Sequence, residues 1–445
     1  MFLYYLRLAA KSALATPGLT LLTVGAIALG VAVPTALISV HHVFAQNPIP
    51  EKSARLFNVR VDNWELASEA FNLEPGDPPK HITYRDMRGL MASDIPKGET
   101  GVAGARAFVF PEGKDARPYQ TVIQLVHADF FPMFNAPFRF GNGWAHTADE
   151  SRQHVVVLSA DANERVFGGA DSVGKSIRIG PQTFTIVGVL APWQPTPLFY
   201  DVINNNNGMG KTREYFMPFD LIRDASLALK RTGDSDGFGN SNNDDPDAFF
   251  DASENNWIQY WVELDPGKRA DYVHFVDAYA QEQKNAGRFP RPLNNRVTPL
   301  MEWMRVRRVV PPATVGLVVI ALLFLAICCL NLTGLLLGKF LSRSGVLGVH
   351  RALGAPRSAI FLQRLLECEL VGVAGGLSGM LLAAGALKLI NAMLPPNVAR
   401  AGLFGADGFT ILVAIGLALA AGLLSGLYPA WRACRIPPAM QLKLQ

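Results

Sequence analysis

Between residues 46 and 308 the sequence has no cysteine. The four cysteines of the 445-residue chain, Cys328, Cys329, Cys368 and Cys434, all follow that segment, and none forms a CxxC pair. A disulfide framework is therefore excluded there, and a segment of that size buries a core without one. Redox and zinc-ribbon spacings are absent as well. No Ser-His-Asp arrangement, zinc-ligand set or paired carboxylates stand out, so no catalytic residue, cofactor site or metal site is assigned. His41 and His42 are adjacent, and neighbours on a helix point to different faces; they read as interfacial histidines. Charge is scarce too, at 18% of residues against 49% hydrophobic, and mean hydropathy is +0.18. A soluble chain carries more charge and less apolar surface.

The missing charge is concentrated in four runs. Residues 18–40, 309–338 and 408–430 contain no Asp, Glu, Lys or Arg, and 370–394 contains only Lys388. A helix rises about 1.5 Å per residue, so about 20 apolar residues cross about 30 Å of hydrocarbon. All four runs are long enough. Val43 and Ala45 offer a small-residue pattern of the signal-peptidase kind, but an h-region is only about 7–15 residues long. The first run therefore reads as a retained anchor.

Basic residues set the expected orientation. Arg7 and Lys11 precede the first run. Lys339, Arg343, Arg351, Arg357 and Arg364 lie between the second and third, and Arg432, Arg435 and Lys443 follow the fourth. Loop 395–407 has only Arg400. Both termini and the middle loop are thus expected in the cytosol, with 46–308 outside. Arg305, Arg307 and Arg308 fall on the outer side, where long translocated segments largely escape the rule. The 46–308 segment holds 29 Lys+Arg against 34 Asp+Glu, so the chain's formal +4 belongs to the cytosolic rims. It does not point to nucleic acid.

Within 46–308, stretches 55–61, 121–126 and 155–158 read as strands, with a turn near Pro132. Stretch 159–167 has helical spacing, and 177–189 reads as a hairpin turning at Gly180-Pro181. Residues 270–285 read as a helix with Tyr272, Phe275, Val276 and Tyr279 on one face. The mixture implies an α+β domain, divided here into two subdomains. The polar tract 232–256 reads as an exposed loop. Its Asp234, Asp236, Asn240, Asn242 and Asp244 have oxygen ligands but not the EF-hand spacing. Residues Gly169 to Ser176 match the phosphate-loop pattern GxxxxGK[ST]. That motif needs a strand before it and a helix after it. Here the order is reversed, which makes the segment a turn whose glycines supply positive φ.

The middle loop reads Arg343-Ser344-Gly345-Val346-Leu347-Gly348-Val349-His350-Arg351-Ala352-Leu353-Gly354-Ala355-Pro356-Arg357. Gly354 suits a left-handed helix end, and Pro356 suits the start of the next helix. That helix presents Ile360, Gln363, Leu366 and Glu367. The expected result is a sharp turn fit to dock on a partner.

This loop resembles that of the MacB/FtsX family of ABC-transporter permeases, whose form is E-I-G-x-R-x-A-L-G-A followed by Q and E. Gly348, Ala352, Leu353, Gly354, Ala355, Gln363 and Glu367 fit it. Val346 and His350 depart from the family's Glu and Arg. The tail from Gly426 to Ala433, with Tyr428-Pro429-Ala430, is similar to the family's closing G-x-Y-P-A-x-x-A. Residues 156–167 and 169–189 resemble its strand–helix–hairpin unit, including V-G-K and I-V-G-V.

The resemblance implies an α-helical membrane protein with four transmembrane helices (1 + 3) and a large α+β extracytoplasmic domain inserted between the first and second. The expected divisions are a cytosolic interfacial helix at 1–17, a first span at 18–41 and a periplasmic MacB-like core at 46–308. A second span at 309–338 is followed by a coupling loop and amphipathic helix at 339–369. The third span at 370–394, a periplasmic loop at 395–407, the fourth span at 408–430 and a cytosolic tail at 431–445 complete it. The resemblance also implies a non-catalytic inner-membrane subunit. Its expected partners are a separate ABC ATPase, a second permease subunit, membrane lipid and a periplasmic adaptor. The ATPase-coupling residues by that analogy are Arg351, Ala352, Leu353, Gly354, Ala355, Arg357, Gln363 and Glu367. The rival reading is an FtsX-like regulator that activates a periplasmic partner, though such proteins have much smaller outer domains.

Overall fold

The computed structural model describes residues 7–9, 11–12, 15–66, 76–111, 117–236, 246–342, 356–394, 404–405 and 407–435. The chain divides into a helical unit and a mixed α/β unit, Gln46–Val309.

The helical unit contains four long helices: α1 (Pro17–Ala45), α2 (Pro312–Ser342), α3 (Arg357–Met393) and α4 (Gly408–Arg435). All four are long and apolar enough to cross a membrane. The third apolar run and the amphipathic segment expected before it form one uninterrupted helix, α3. Without a hydrophobic drive between helices in lipid, close backbone approach has to supply packing. Gly375 shows this: a Cβ there would lie 2.6 Å from Ile27 of α1. At Gly376 a Cβ would lie 2.3 Å from that of Ala418 in α4. Pro429 inside α4 has no N–H to offer the carbonyl of Ser425, one turn back. Thr333 Oγ1 of α2 lies 3.3 Å from that carbonyl and 2.8 Å from Cys329 O, so its one hydrogen is shared between its own helix and the freed acceptor across helices.

The α/β unit is built on an eleven-stranded, mainly antiparallel sheet. Its strands are β1 (Leu56–Arg60), β2 (Gly98–Phe110), β3 (Tyr119–Val126), β4 (Phe138–Gly141), β5 (Val155–Leu158), β6 (Ser176–Ile179), β7 (Gln182–Leu190), β8 (Tyr215–Pro218), β9 (Lys230–Thr232), β10 (Gln259–Glu263) and β11 (Arg296–Pro299). The main order is β11-β1-β10-β2-β3-β8-β5-β7-β4, and β6 and β9 pair β2 off that path. Among the described residues, only β3–β8 and β5–β7 run parallel. Side chains alternate across a strand, and both faces of this sheet are covered. Tyr260 and Val262 of β10 enter one core together with Tyr272, Val276 and Ala280 of helix Arg269–Asn285. Trp261 enters the other, among Phe130, Phe134, Tyr200 and Trp303.

The strand expectations at 121–126 and 155–158, the helix at 159–167 and the hairpin all have counterparts here. The segment near Pro132, expected as a turn, is a single helical turn, Phe130–Met133. Of the described part of the polar tract, residues 233–235 are exposed as expected, while Pro246–Asp251 is a short helix. Asp236, Asn255 and Asn256 are buried, because each finds polar partners. Asp236 accepts from Lys80 N and His81 N at 2.8 and 3.2 Å. Asn63 and Asn256 exchange side-chain amide bonds at 2.9 Å.

Candidate coupling site

Of the residues expected to couple to an ATPase, Arg351, Ala352, Leu353, Gly354 and Ala355 lie outside the described residues. Arg357, Gln363 and Glu367 are described, all on α3. Arg357 is exposed at the helix start and Gln363 is half-buried. Glu367 is almost fully buried, and it anchors a polar cluster that sequence reasoning did not assemble.

Three groups converge on its carboxylate. Lys339 Nζ, near the end of α2, lies 2.7 Å from Oε1. Ser12 Oγ, before α1, donates to the same oxygen at 2.8 Å. Arg364 Nη1, one turn earlier on α3, donates to Oε2 at 2.7 Å. The side chains of Lys339, Arg364 and Glu367 are 3%, 6% and 1% exposed, so little solvent screens them. The Arg364 guanidinium also lies 4.9 Å above the Phe340 ring, a cation–π contact. Below the charges, Leu336, Phe340, Cys368 and Ala433 form a small apolar layer. Gly426 permits it: a Cβ there would stand 2.5 Å from that of Cys368. The arrangement ties the segment before α1, the end of α2 and the start of α3 at one carboxylate. Two cations and one anion leave the cluster at a net +1. The signal available in the sequence was a set of charges at the ends of apolar runs, with Arg364 and Glu367 three apart on one helical face.

The phosphate-loop lookalike has a different job. Helix Ala160–Phe167 ends at Gly168 in the left-handed conformation, and β6 follows the loop. Gly174 N donates to Ile186 O at 2.8 Å and Lys175 N to Ser172 O at 3.0 Å. Val173 N is taken by Asp171 Oδ1 at 3.0 Å. A phosphate would find these amides already engaged. The Lys175 ammonium rests 5.4 Å from the Phe167 ring centroid.

The acidic tract is likewise engaged internally where it is described. Lys80 Nζ contacts Asp234 at 3.1 Å and Asp236 at 3.2 Å, and His81 Nδ1 lies 3.0 Å from Asp236. Burial alone would raise the Asp236 carboxyl, but His81 and Lys80 together hold it well below the usual range. Asn240, Asn242 and Asp244 lie outside the described residues. Among the described residues no three His, Cys, Asp or Glu side chains gather in a metal-ligating group.

Elsewhere in the α/β unit burial perturbs many groups, Glu99, Asp149 and His127 among them. It raises Glu99 to about 7 against a hydrogen bond from Tyr260. It raises Asp149 to about 6, although Ala128 N and Trp144 Nε1 both donate to that carboxyl at 2.8 Å. It lowers His127 to about 4. Asp149 thereby fixes Trp144, which with Phe131 and Phe138 walls a surface cleft of about 520 Å³. Asp129 and His146, 3.2 Å apart, stand at that cleft's rim.

The MacB-like periplasmic core domain matches residues 20–274, and the FtsX-like permease C-terminal domain matches 318–438. The macrolide export ATP-binding/permease protein MacB of Acinetobacter baylyi is 21% identical over 321 residues, which is 72% of this chain and 42% of the relative. The pyoverdine export ATP-binding/permease protein PvdT of Pseudomonas aeruginosa is 23% identical over 330 residues, covering 74% and 43%. The MacB protein of Syntrophobacter fumaroxidans is 28% identical over 131 residues, covering 29% and 17%. The chain thus spans less than half the length of each of these relatives. Among solved structures, the periplasmic region of MacB from Actinobacillus actinomycetemcomitans aligns with a TM-score of 0.36 at 10% identity, over 58% of this chain and 94% of that one. The core-domain match covers more than half of the sequence and the permease match most of the remainder, and on these grounds the chain belongs to the MacB/FtsX family of ABC-transporter permeases.

Proposed function

We propose that this chain is a non-catalytic permease subunit that couples ATP hydrolysis by a separate ATPase to movement of an outer domain. Both termini lie in the cytosol, and the α/β unit faces the periplasm. The basic rims of the apolar helices support this orientation. A second permease subunit completes the transporter, and a periplasmic adaptor receives the exported cargo. The relatives' printed names suggest export of a cargo such as a macrolide or pyoverdine; peptides and lipoproteins fit the same plan.

The observation that carries the coupling role is the buried Glu367 carboxylate. It stands in the first three turns of α3, close in sequence to the segment Leu353-Gly354-Ala355-Pro356, and it holds Lys339 of α2 and Ser12 in one cluster. A push there would therefore reach three segments at once. Arg351 to Ala355 form the docking knob, with Arg357 and Gln363 beside it.

The test is co-purification. Gly354→Asp places a carboxylate at the knob, where burial against a partner costs several times the roughly 1 kcal/mol of a strained helix end. The mutant should insert normally but lose its ATPase and its stimulation of ATP hydrolysis. A mutant that keeps the ATPase and still transports would refute the assignment.

A further inference from the structure

The cytosolic ends of α3 and α4 frame an apolar groove that the coupling cluster does not use. Its volume is about 540 Å³, and its walls are Phe361 of α3 and Leu423, Leu424, Leu427, Tyr428 and Trp431 of α4. The five α4 residues are surface-exposed, Leu424 the most at 69%. Ile360 packs with Cys434, so the start of α3 and the end of α4 lie at the same level. Arg357 stands one turn beyond Phe361, and Arg435 one turn beyond Trp431. Both arginines therefore sit at one mouth of the groove. The Arg435 guanidinium lies 4.1 Å over the Trp431 ring, and Arg357 is exposed.

We propose that this groove binds one anionic phospholipid, its acyl chain along α4 and its phosphate between Arg357 and Arg435. Length supports this occupant. From Leu423 to Arg435 the helix rises roughly 18 Å, close to the ~15 Å hydrocarbon depth of one leaflet. Tyr428 and Trp431 lie where aromatic rings meet headgroups. A soluble partner would not reach that depth. A second copy docked on this face through a two-fold axis would bring its own Arg357 and Arg435 against the first pair. An anionic headgroup instead supplies the missing charge. The inference rests on the membrane placement proposed above. It bears on coupling, because the headgroup would sit beside Pro356, where the docking turn ends.

The experiment is native mass spectrometry of the full chain released from nanodiscs. The discs contain equal phosphatidylglycerol and phosphatidylcholine. Two arginines near a phosphate favour the anionic lipid by roughly thirtyfold, so one phosphatidylglycerol per chain should be retained preferentially. Arg357→Gln/Arg435→Gln should abolish the preference, and Leu427→Trp, which fills the groove, should abolish retention of either lipid. Neither change touches Glu367, so folding is checked by unaltered thermal stability. Equal retention of both lipids by the unaltered chain would overturn the proposal, as would undiminished phosphatidylglycerol in the double variant. A dimer that Leu427→Trp dissociates would put a second copy in the groove and overturn it as well. Release of the chain from membranes by alkaline carbonate would instead refute the membrane placement itself.

Discussion

Removing the Glu367 carboxylate should cost more than removing either of its cations. At 2.7 Å and an effective dielectric of about 20, each charge contact gives roughly 6 kcal/mol of Coulomb attraction before desolvation is subtracted. Desolvation consumes most of that, which is why an intact buried pair is nearly neutral overall and a broken one is not. Glu367→Ala leaves the Lys339 and Arg364 charges buried side by side with no anion. The expected loss is about 3–5 kcal/mol. Lys339→Met behaves differently. It converts a net +1 cluster into a neutral Arg364–Glu367 pair that still accepts from Ser12. Its cost should be roughly 1.5–3 kcal/mol, that of a lost charged hydrogen bond. The double variant Lys339→Met/Glu367→Ala retains one cation, resting on Phe340, and should be less damaged than Glu367→Ala alone. Thermal unfolding of the purified chain in detergent, read as a double-mutant cycle, measures the coupling. Equal losses for the two single variants, with coupling below about 0.5 kcal/mol, would mean that water screens the cluster and that it fastens nothing.

Three further outcomes follow from other sites. Glu99 titrates near 7 in the folded chain, and an unperturbed glutamate near 4.5, so the native state binds the extra proton and loses stability as pH rises through that interval. Glu99→Gln removes this loss; relative to the unaltered chain it should gain roughly 1–3 kcal/mol between pH 5 and pH 8, and a pH-independent difference in unfolding midpoint would contradict the shift. Lys175→Ala should change ATPase and transport rates by no more than about twofold, because a surface substitution costs about 0.5 kcal/mol or less; abolished ATP binding would reveal a nucleotide site in the turn. A reporter fused after Gln445 should be active only in the cytosol and one inserted near Asn242 only outside, and the reverse pattern would invert the orientation.

Local patterns carried much of the fold. Strand Val155–Leu158, the helix after it and the hairpin turning at Gly180 each combine a clear period with a capping or turn residue. Ser159 caps its helix by accepting from Ala162 N at 3.1 Å. Strand β2 was illegible for the opposite reason. Gly98–Phe110 is rich in Gly and Ala, which are depleted in strands, and it lacks clean alternation. Its extended state comes from neighbours: β10 pairs one half, and β3, β6 and β9 pair the other. The candidate site divides in the same way. Glu367 was legible as a motif residue on an amphipathic helix. Lys339 and Ser12 were not legible as its partners, because 28 and 355 positions separate them from it. Only the packing of the helices brings them within hydrogen-bonding reach.

That division bears on how force could pass through the bundle. Helices in lipid gain little from burying apolar surface against one another, so contacts such as Gly375 on Ile27 and Gly376 on Ala418 fix distance more than registry. Displacement along such a face exchanges one set of weak contacts for another. A buried carboxylate with three donors behaves otherwise. Its bonds are directional, and each is either made or broken, since a half-satisfied charge in a dry site is the costliest state. Transmission between distant sites requires an element with discrete arrangements, and a charge cluster whose bonds are made or broken together supplies one. Among the described residues of the helical unit, the Lys339–Arg364–Glu367–Ser12 cluster is the element with that character. It lies near the start of α3, next to the segment proposed to dock an ATPase. On the coupling proposed above, a contact of this kind near the point of attachment would set the movement, and the rest of the bundle would follow it.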